Sequence, residues 1–460
     1  MANRFVVIVG VAWLLFVAAV YLPDIGRGFV RDDFAWIAHG HAALERPATA
    51  LLPDTPGFYR PLVTASFAAD YSWHGLSARG YGATNVLLFF ACVAAVWTLC
   101  RRLRLSTFAA AVAAFAWSVN PHGINMALVW ISGRTSLFVT LFAILAAIAV
   151  LERRYVWTAI FLSAALASKE EALVLPLTLL AWHGLLVARD GQTRRETLAA
   201  CAAVTFPTII YLIVRQATPA FTPATAPPFY QFTFDPARVL ANAAQYLDRG
   251  ATISAAIALV AGMSFWRLPS LTPERRRLFA ACALWFVGAY AMTVFLPVRS
   301  SLYAVFPSVG AAIAAAALVE SMRENADTSA RRSIAFGAVL AAAILLLVPV
   351  YSVRNDRWVE PARLSARALR IIGSDPRLAG NRGFVVLQDV DDPKSSFASA
   401  FGTLATDALQ LRTGANLRAW IDPPPADWQI AKLTPPDRAD VIARFAVDRG
   451  RVFTVIPEEP

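Results

Sequence analysis

About eleven apolar runs, each close to the length of a membrane span, constrain this chain more than anything else in it. A helix needs about twenty mostly apolar residues to cross the hydrocarbon of a bilayer. The runs fall at 5–22, 83–100, 106–120, 135–151, 155–168, 171–188, 198–215, 250–266, 278–297, 302–320 and 333–351. The third and fifth are the shortest. Only 16% of the 460 residues are charged, against about 25% in soluble domains. Mean hydropathy is +0.52. The predicted fold is an all-α polytopic membrane protein.

The net charge of +11 would suit a nucleic-acid partner if the basic residues formed one patch. They do not. They cluster in alternate short connections: Arg101-Arg102-Leu103-Arg104, Arg153-Arg154, Arg189 with Arg194-Arg195, Arg267 with Arg275-Arg276-Arg277, and Arg323 with Arg331-Arg332. That alternation follows the positive-inside rule. It implies a lipid bilayer as partner and no nucleic acid. The expected location is the inner (plasma) membrane, multi-pass, with a cytoplasmic N-terminus on a retained signal anchor. An odd helix count puts the C-terminus outside, so reporters fused near residues 192 and 380 should report opposite faces. Cys92, Cys100, Cys201 and Cys282 all lie in apolar runs and read as small core residues, not as a disulfide or metal framework.

This orientation divides the chain into a transmembrane domain at 1–355, with an outer loop at 23–82, and a small extracytoplasmic domain at 356–460. In the tail, Phe384–Leu387 and Val452–Ile456 read as strands and Ser395–Arg412 as a helix, which makes a small α/β unit. The polar residues of interest gather on the same outer face. Chief among them is Gly28–Ile37, with Asp32 and Asp33 adjacent, Arg31 beside them and Phe29, Phe34 and Trp36 around them. The plainest role for such an acid is a helix N-cap.

Phe58-Tyr59-Arg60-Pro61-Leu62 sets a guanidinium, a planar fork suited to phosphate oxygens, on a rigid turn, where it could also snorkel to the interface. Trp130-Ile131-Ser132-Gly133-Arg134 repeats the pattern. In Ser168-Lys169-Glu170-Glu171 the acids suit a helix start. Lys169 does not, so it needs a partner: Glu170 or an anionic ligand. Arg299 precedes Tyr303. His39 and His41 follow the acids without a recognised zinc spacing, so no metal ligands are assigned and a divalent metal stays open. His183 reads as a hydrogen-bonded packing residue.

The order of these pieces resembles the GT-C superfamily of polytopic membrane glycosyltransferases, in its protein O-mannosyltransferase-like branch. The resemblance is carried by Asp32-Asp33, Tyr59-Arg60-Pro61-Leu62, Gly80-Tyr81 with Asn85, Trp130-Ile131-Ser132-Gly133-Arg134 and Ser168-Lys169-Glu170. It continues through Leu302-Tyr303 with Pro307-Ser308-Val309-Gly310 and Arg354-Asn355 with Trp358. It spans about residues 5–370. The chain departs from the family at Gly82 and Phe89, where histidines are usual, and at Asn125, where an acid often stands. The TPR tail of some members is absent.

The resemblance implies transfer of a sugar from a polyprenyl-phosphate-linked donor to a hydroxyl of a protein, lipid or glycan acceptor on the outer face. Asp32 is the implied general base and Asp33 its supporting acid. A lipid phosphate is already a good leaving group, so one carboxylate to take the acceptor proton suffices. Fixed cations must then meet the leaving phosphate. Arg60, Arg134, Lys169 and Arg299 are the candidates, with Tyr59, Glu170 and Tyr303 in support. Direct displacement would invert the anomeric centre. Competing readings are a transporter or lipid flippase, and a non-catalytic membrane scaffold. A transporter should show inverted repeats and midplane charges; here no clear repeat is found and the charges lie at one edge.

Overall fold

The computed structural model describes residues 2–187, 193–269, 271–325, 329–390, 396–425 and 433–455. The expectations that touch Arg189, residue 192, Ser395 and Ile456 lie outside them. The first helix is α1 (Ala2–Tyr21). The outer loop that follows is itself largely helical, with α2 (Asp33–Glu45), α3 (Ala48–Leu51) and α4 (Pro61–His74). Next come α5 (Ala78–Arg102), α6 (Thr107–Ser118), α7 (Gly123–Val129), α8 (Arg134–Leu151) and α9 (Tyr155–Leu166). A 3-10 turn at Glu170–Val174 leads into α10 (Leu175–Trp182). The bundle continues with α11 (Arg194–Gln216), α12 (Pro236–Phe265), α13 (Pro273–Tyr290), α14 (Ser308–Glu324), α15 (Ser329–Leu346) and α16 (Val348–Gly373).

Local chemistry sets several of these starts. Ser106 caps α6 by accepting from the Ala109 N–H, and Thr193 and Glu196 form a reciprocal capping box on α11. Asp235 and Thr272 cap α12 and α13, each followed by a proline, which needs no N–H partner there. Among the described residues, five stretches are long and apolar enough to cross a membrane alone: Arg4–Tyr21, Ala78–Arg102, Ile131–Leu151, Glu170–Val187 and Arg194–Gln216. The chain is therefore a multi-pass membrane protein. The helices in the third and fifth runs have 12 residues each, about 18 Å at 1.5 Å per residue, too short to span alone. The last run does not end at 351. The chain bends by 41° between α15 and α16, and α16 then runs through residue 355, leaving the bundle inside one continuous helix.

Small residues let these helices approach closely. A Cβ on Gly310 would lie 2.6 Å from the Cys282 carbonyl oxygen, so α13 and α14 pack backbone to backbone there. Three fully buried indoles each find a carbonyl: Trp117 donates to Val305 O at 3.0 Å, Trp182 to Ala281 O at 2.8 Å and Trp285 to Phe306 O at 3.0 Å.

Beyond α16 lies a four-stranded sheet in the order β2-β1-β3-β4. Its strands are β1 (Gly383–Asp389), β2 (Leu417–Asp422), β3 (Val441–Asp448) and β4 (Arg451–Val455). β1 runs parallel to both β2 and β3, and β4 closes an antiparallel hairpin on β3. Parallel neighbours need a long crossover. Here α17 (Phe397–Phe401) and α18 (Ala405–Thr413) supply it. The single helix expected over 395–412 is broken at Gly402, which adopts a φ of +53°. One apolar core joins Phe29, Phe34 and Phe67 of the outer loop to Leu364 of α16 and to Val385 and Phe401 of the sheet unit. The Asp32 loop is thus wedged between the bundle and the sheet.

Candidate active site

The two adjacent acids have opposite surroundings. Asp33 opens α2 and is buried, at 1% exposure. Its Oδ1 accepts from Ser132 N at 2.8 Å and Ser132 Oγ at 2.5 Å, and its Oδ2 accepts from Val30 N at 2.9 Å. Burial pushes its pKa up to about 6, while the bonds from Ser132 and Val30 hold it back. Asp32 occupies the N-cap position of α2, yet its side chain makes no capping hydrogen bond. Its carboxylate is exposed. Enough protein surrounds it that partial desolvation raises its pKa, against the pull of Arg31 and Arg60. The N-cap role is therefore not what the carboxylate does. Arg31 holds a positive φ of 50°, which turns the chain sharply just before the acids.

A cavity of about 220 Å³ opens beside this loop. Arg60 and Tyr230, both close enough to interact electrostatically with Asp32, form part of its wall. Arg60 donates from Nε and Nη2 to Glu170 at 3.1 and 2.8 Å and stacks over Phe58 at 4.3 Å. Among the described residues, none of its hydrogen bonds involves Nη1. Lys169 pairs with Glu171 at 2.6 Å, donates to Ser136 Oγ at 2.9 Å and faces the Tyr303 ring at 5.0 Å. The partner of Lys169 is thus Glu171, and Glu170 serves Arg60. Phe221, Phe232 and Leu296 complete an apolar wall, with Arg215 beside them. The Nε of Arg215 has no hydrogen-bond partner among the described residues.

Of the residues singled out in the sequence, the fold brings Arg60, Lys169, Glu170 and Tyr303 together at this cavity, with Asp32 next to it. It does not bring the others. Arg134 is fully buried, paired with Asp70 at 2.6 Å, bonded to Asn85 Oδ1, Ser66 Oγ and the Tyr81 carbonyl, and stacked on Phe67 at 4.2 Å. With its donors spent on the protein, it is a strut of the outer loop and not a cavity cation. Arg299 donates to Asn242 Oδ1 at 2.6 Å, away from the cavity wall. Tyr59 packs in the helical core against Tyr211. Asn125, where a family acid often stands, bonds the Asn355 side chain at 2.5 Å, and Asn355 in turn holds the Val20 carbonyl. Trp130 and Trp358 stack at 4.7 Å. His183 bonds the Tyr155 hydroxyl at 3.1 Å. Sequence reading missed Tyr230 and Arg215. Tyr230 lies inside a proline-rich stretch, 216–236, and Arg215 immediately precedes it. Among the described residues, no three His, Cys, Asp or Glu side chains gather as a metal-binding group.

No protein-family model matches the sequence, and no curated protein matches it. Among solved structures, the chain is similar to the oligosaccharyltransferase of Archaeoglobus fulgidus, at 12% identity and a TM-score of 0.48. That likeness covers 89% of this chain and 62% of the archaeal one, so the chain spans less than two thirds of that protein. It is also similar to ArnT from Cupriavidus metallidurans, solved bound to undecaprenyl phosphate, at 15% identity and a TM-score of 0.46, over 90% of this chain and 85% of that one. At these values the likeness says nothing about the substrate or catalytic residues of this chain.

Proposed function

We propose that this chain is an integral-membrane glycosyltransferase of the GT-C type. It moves a sugar from a polyprenyl-phosphate-linked donor to a hydroxyl of a protein, lipid or glycan acceptor on the outer face of the membrane. The observation that carries this reading is the contrast between the paired acids. Asp33 is consumed by three hydrogen bonds, while Asp32 stands uncapped beside a cavity containing Arg60 and Lys169. An acid that serves the fold is bonded; an acid that serves a reaction must be left open.

In the reaction, the acceptor oxygen attacks the anomeric carbon from the face opposite the phosphate. The carbon–oxygen bond to the phosphate breaks, its electron pair leaves with the phosphate, and the acceptor proton passes to Asp32. One displacement inverts the anomeric centre. The growing negative charge on the phosphate faces Arg60 and Lys169, which their glutamate partners hold in place before the reaction starts. The aromatic and apolar wall formed by Phe58, Phe221, Tyr230 and Phe232 suits the start of a lipid chain.

The test uses purified full-length protein with undecaprenyl-phosphate-linked monosaccharides, and reads transfer into a delipidated membrane-protein and glycan extract. Loss of a general base typically costs about 10²- to 10⁴-fold, so Asp32→Asn should lose turnover on that scale with donor KM nearly unchanged. Full turnover by Asp32→Asn would reject the mechanism. Profiling lipid-linked sugars in a deletion strain would identify the donor that accumulates.

A further inference from the structure

The sheet unit at the C-terminus reaches the site through one short element. Helix α17 is fastened to the sheet at its start: Asp389, the last residue of β1, accepts from Phe397 N at 2.5 Å and Ala398 N at 3.1 Å. Ser396 and Ser399 form a capping box on the same turn. At its far end α17 presents carbonyls without partners inside the helix. Arg31 takes two of them. Its N–H donates to Ala400 O at 2.9 Å and its Nε to Ser399 O at 3.1 Å. Phe401 meets Phe34 at 5.6 Å on the other side of the acids. A non-glycine residue at positive φ persists only where its surroundings hold it, and these two bonds meet Arg31 at its φ of 50°.

We propose that the C-terminal unit is a working part of the site, which aims the Asp32 carboxylate by gripping Arg31 through the end of α17. Arg31 is then a positioning residue. Asp32 needs such a device because, among the described residues, no other side chain hydrogen-bonds its carboxylate and it makes no capping bond. Asp33 anchors the loop on one side, through Ser132, and Arg31 anchors it on the other. The proposal takes Asp32 as the base, but the grip on the loop is a physical claim that can be measured without catalysis.

The test compares full-length wild type with Arg31→Ala, Phe401→Leu, their double variant and Asp32→Asn. Hydrogen–deuterium exchange is followed over residues 28–37, and transfer is followed from the undecaprenyl-phosphate-linked monosaccharide used by the wild type. Arg31 is exposed, so Arg31→Ala should fold; Phe401→Leu approaches the same contact from the other unit. Both singles should speed exchange over 28–37 by about two- to tenfold, the scale of one lost hydrogen bond. Both should lower kcat by about ten- to a hundredfold at unchanged donor KM, as small misplacements of a reacting group do. The double variant should be no worse than the poorer single. Unchanged exchange in both singles would overturn the grip. Faster exchange with unchanged kcat, beside an inactive Asp32→Asn, would overturn the positioning role. Full turnover by Asp32→Asn would instead reject Asp32 as base, and with it the aiming role; the exchange data would still decide whether α17 holds the loop.

Discussion

At the scale of single residues, the sequence announces the acid pair but not its division of labour, since two adjacent aspartates look alike in a string. Burial separates them. Asp32 must be ionised to take a proton, and its pKa lies above the ordinary carboxylate value. The acid limb of kcat/KM should therefore lie above the ordinary range of an aspartate, with activity falling as pH drops through it. Arg60→Gln removes a cation that favours the ionised form, so it should move the limb to higher pH; a pH–rate profile with no shift would detach Arg60 from Asp32. Arg134 teaches the opposite lesson. A lone arginine in an outer loop suggests an anion site, but its partner Asp70 lies far off in sequence and only the fold brings them together. Breaking a buried pair leaves a bare charge and costs about 3–5 kcal/mol. Asp70→Asn should thus lower the melting temperature in detergent, whereas a phosphate-binding Arg134 would raise donor KM in Arg134→Gln without loss of stability. The pairing of Lys169 with Glu171, and not Glu170, was equally hidden. Lys169 is extended, with φ −165° and ψ 144°, just before a 3-10 turn, and that geometry sends the two glutamates to different partners.

At the scale of elements, five membrane-length helices were legible because an apolar run long enough to span has few other uses; the rest of the eleven expected spans are not established as such. The outer loop was not, since α2 and α4 mix buried aromatics with charges and show no simple apolar stripe. Strands β2 and β3 escaped for a related reason: Arg418 and Arg444 interrupt their apolar runs, and their pairing is set by a crossover. The packing of the outer loop against α16 can be tested. Gly28 has a φ of +119°, and a Cβ there would lie 2.3 Å from the Ala362 carbonyl oxygen of α16. Gly28→Ala faces both strained backbone, at about 1–3 kcal/mol, and a collision with main chain. It should melt well below wild type. Gly10 is the control: it lies inside α1 with nothing within 4 Å of its absent Cβ, and Gly10→Ala should be neutral or stabilising by up to about 1 kcal/mol. Equal melting of the two variants would mean that the loop is not pressed against α16.

At the scale of the whole molecule, helix α8 connects two differently charged ends. Arg134 and Ser136 begin it beside the outer loop and the Lys169 cluster. Its other end, Leu151, lines an open basin of about 650 Å³ with Arg102, Arg104, Arg153, Arg275 and Arg277. Eighteen residues of helix separate the ends by about 27 Å, close to the roughly 30 Å of a bilayer's hydrocarbon core. The arginine-rich loops therefore share one face, and the paired acids, the cavity and the C-terminal sheet share the other. Basic loops stay in the cytoplasm, so the acid face should point outward, where a polyprenyl-linked donor could meet an acceptor. Because residue 192 lies outside the described residues, the 153–154 turn is the better inner reporter site. Gly380, at positive φ with nothing within 4 Å of its absent Cβ, is the outer one. An alkaline phosphatase fusion should be active at 380 and silent at 154, and a cytoplasmic fluorescent reporter should show the reverse. Activity of the same reporter at both positions would break the link between the two ends of α8 and the two faces of the membrane, and would remove the outward-facing site from the proposed reaction.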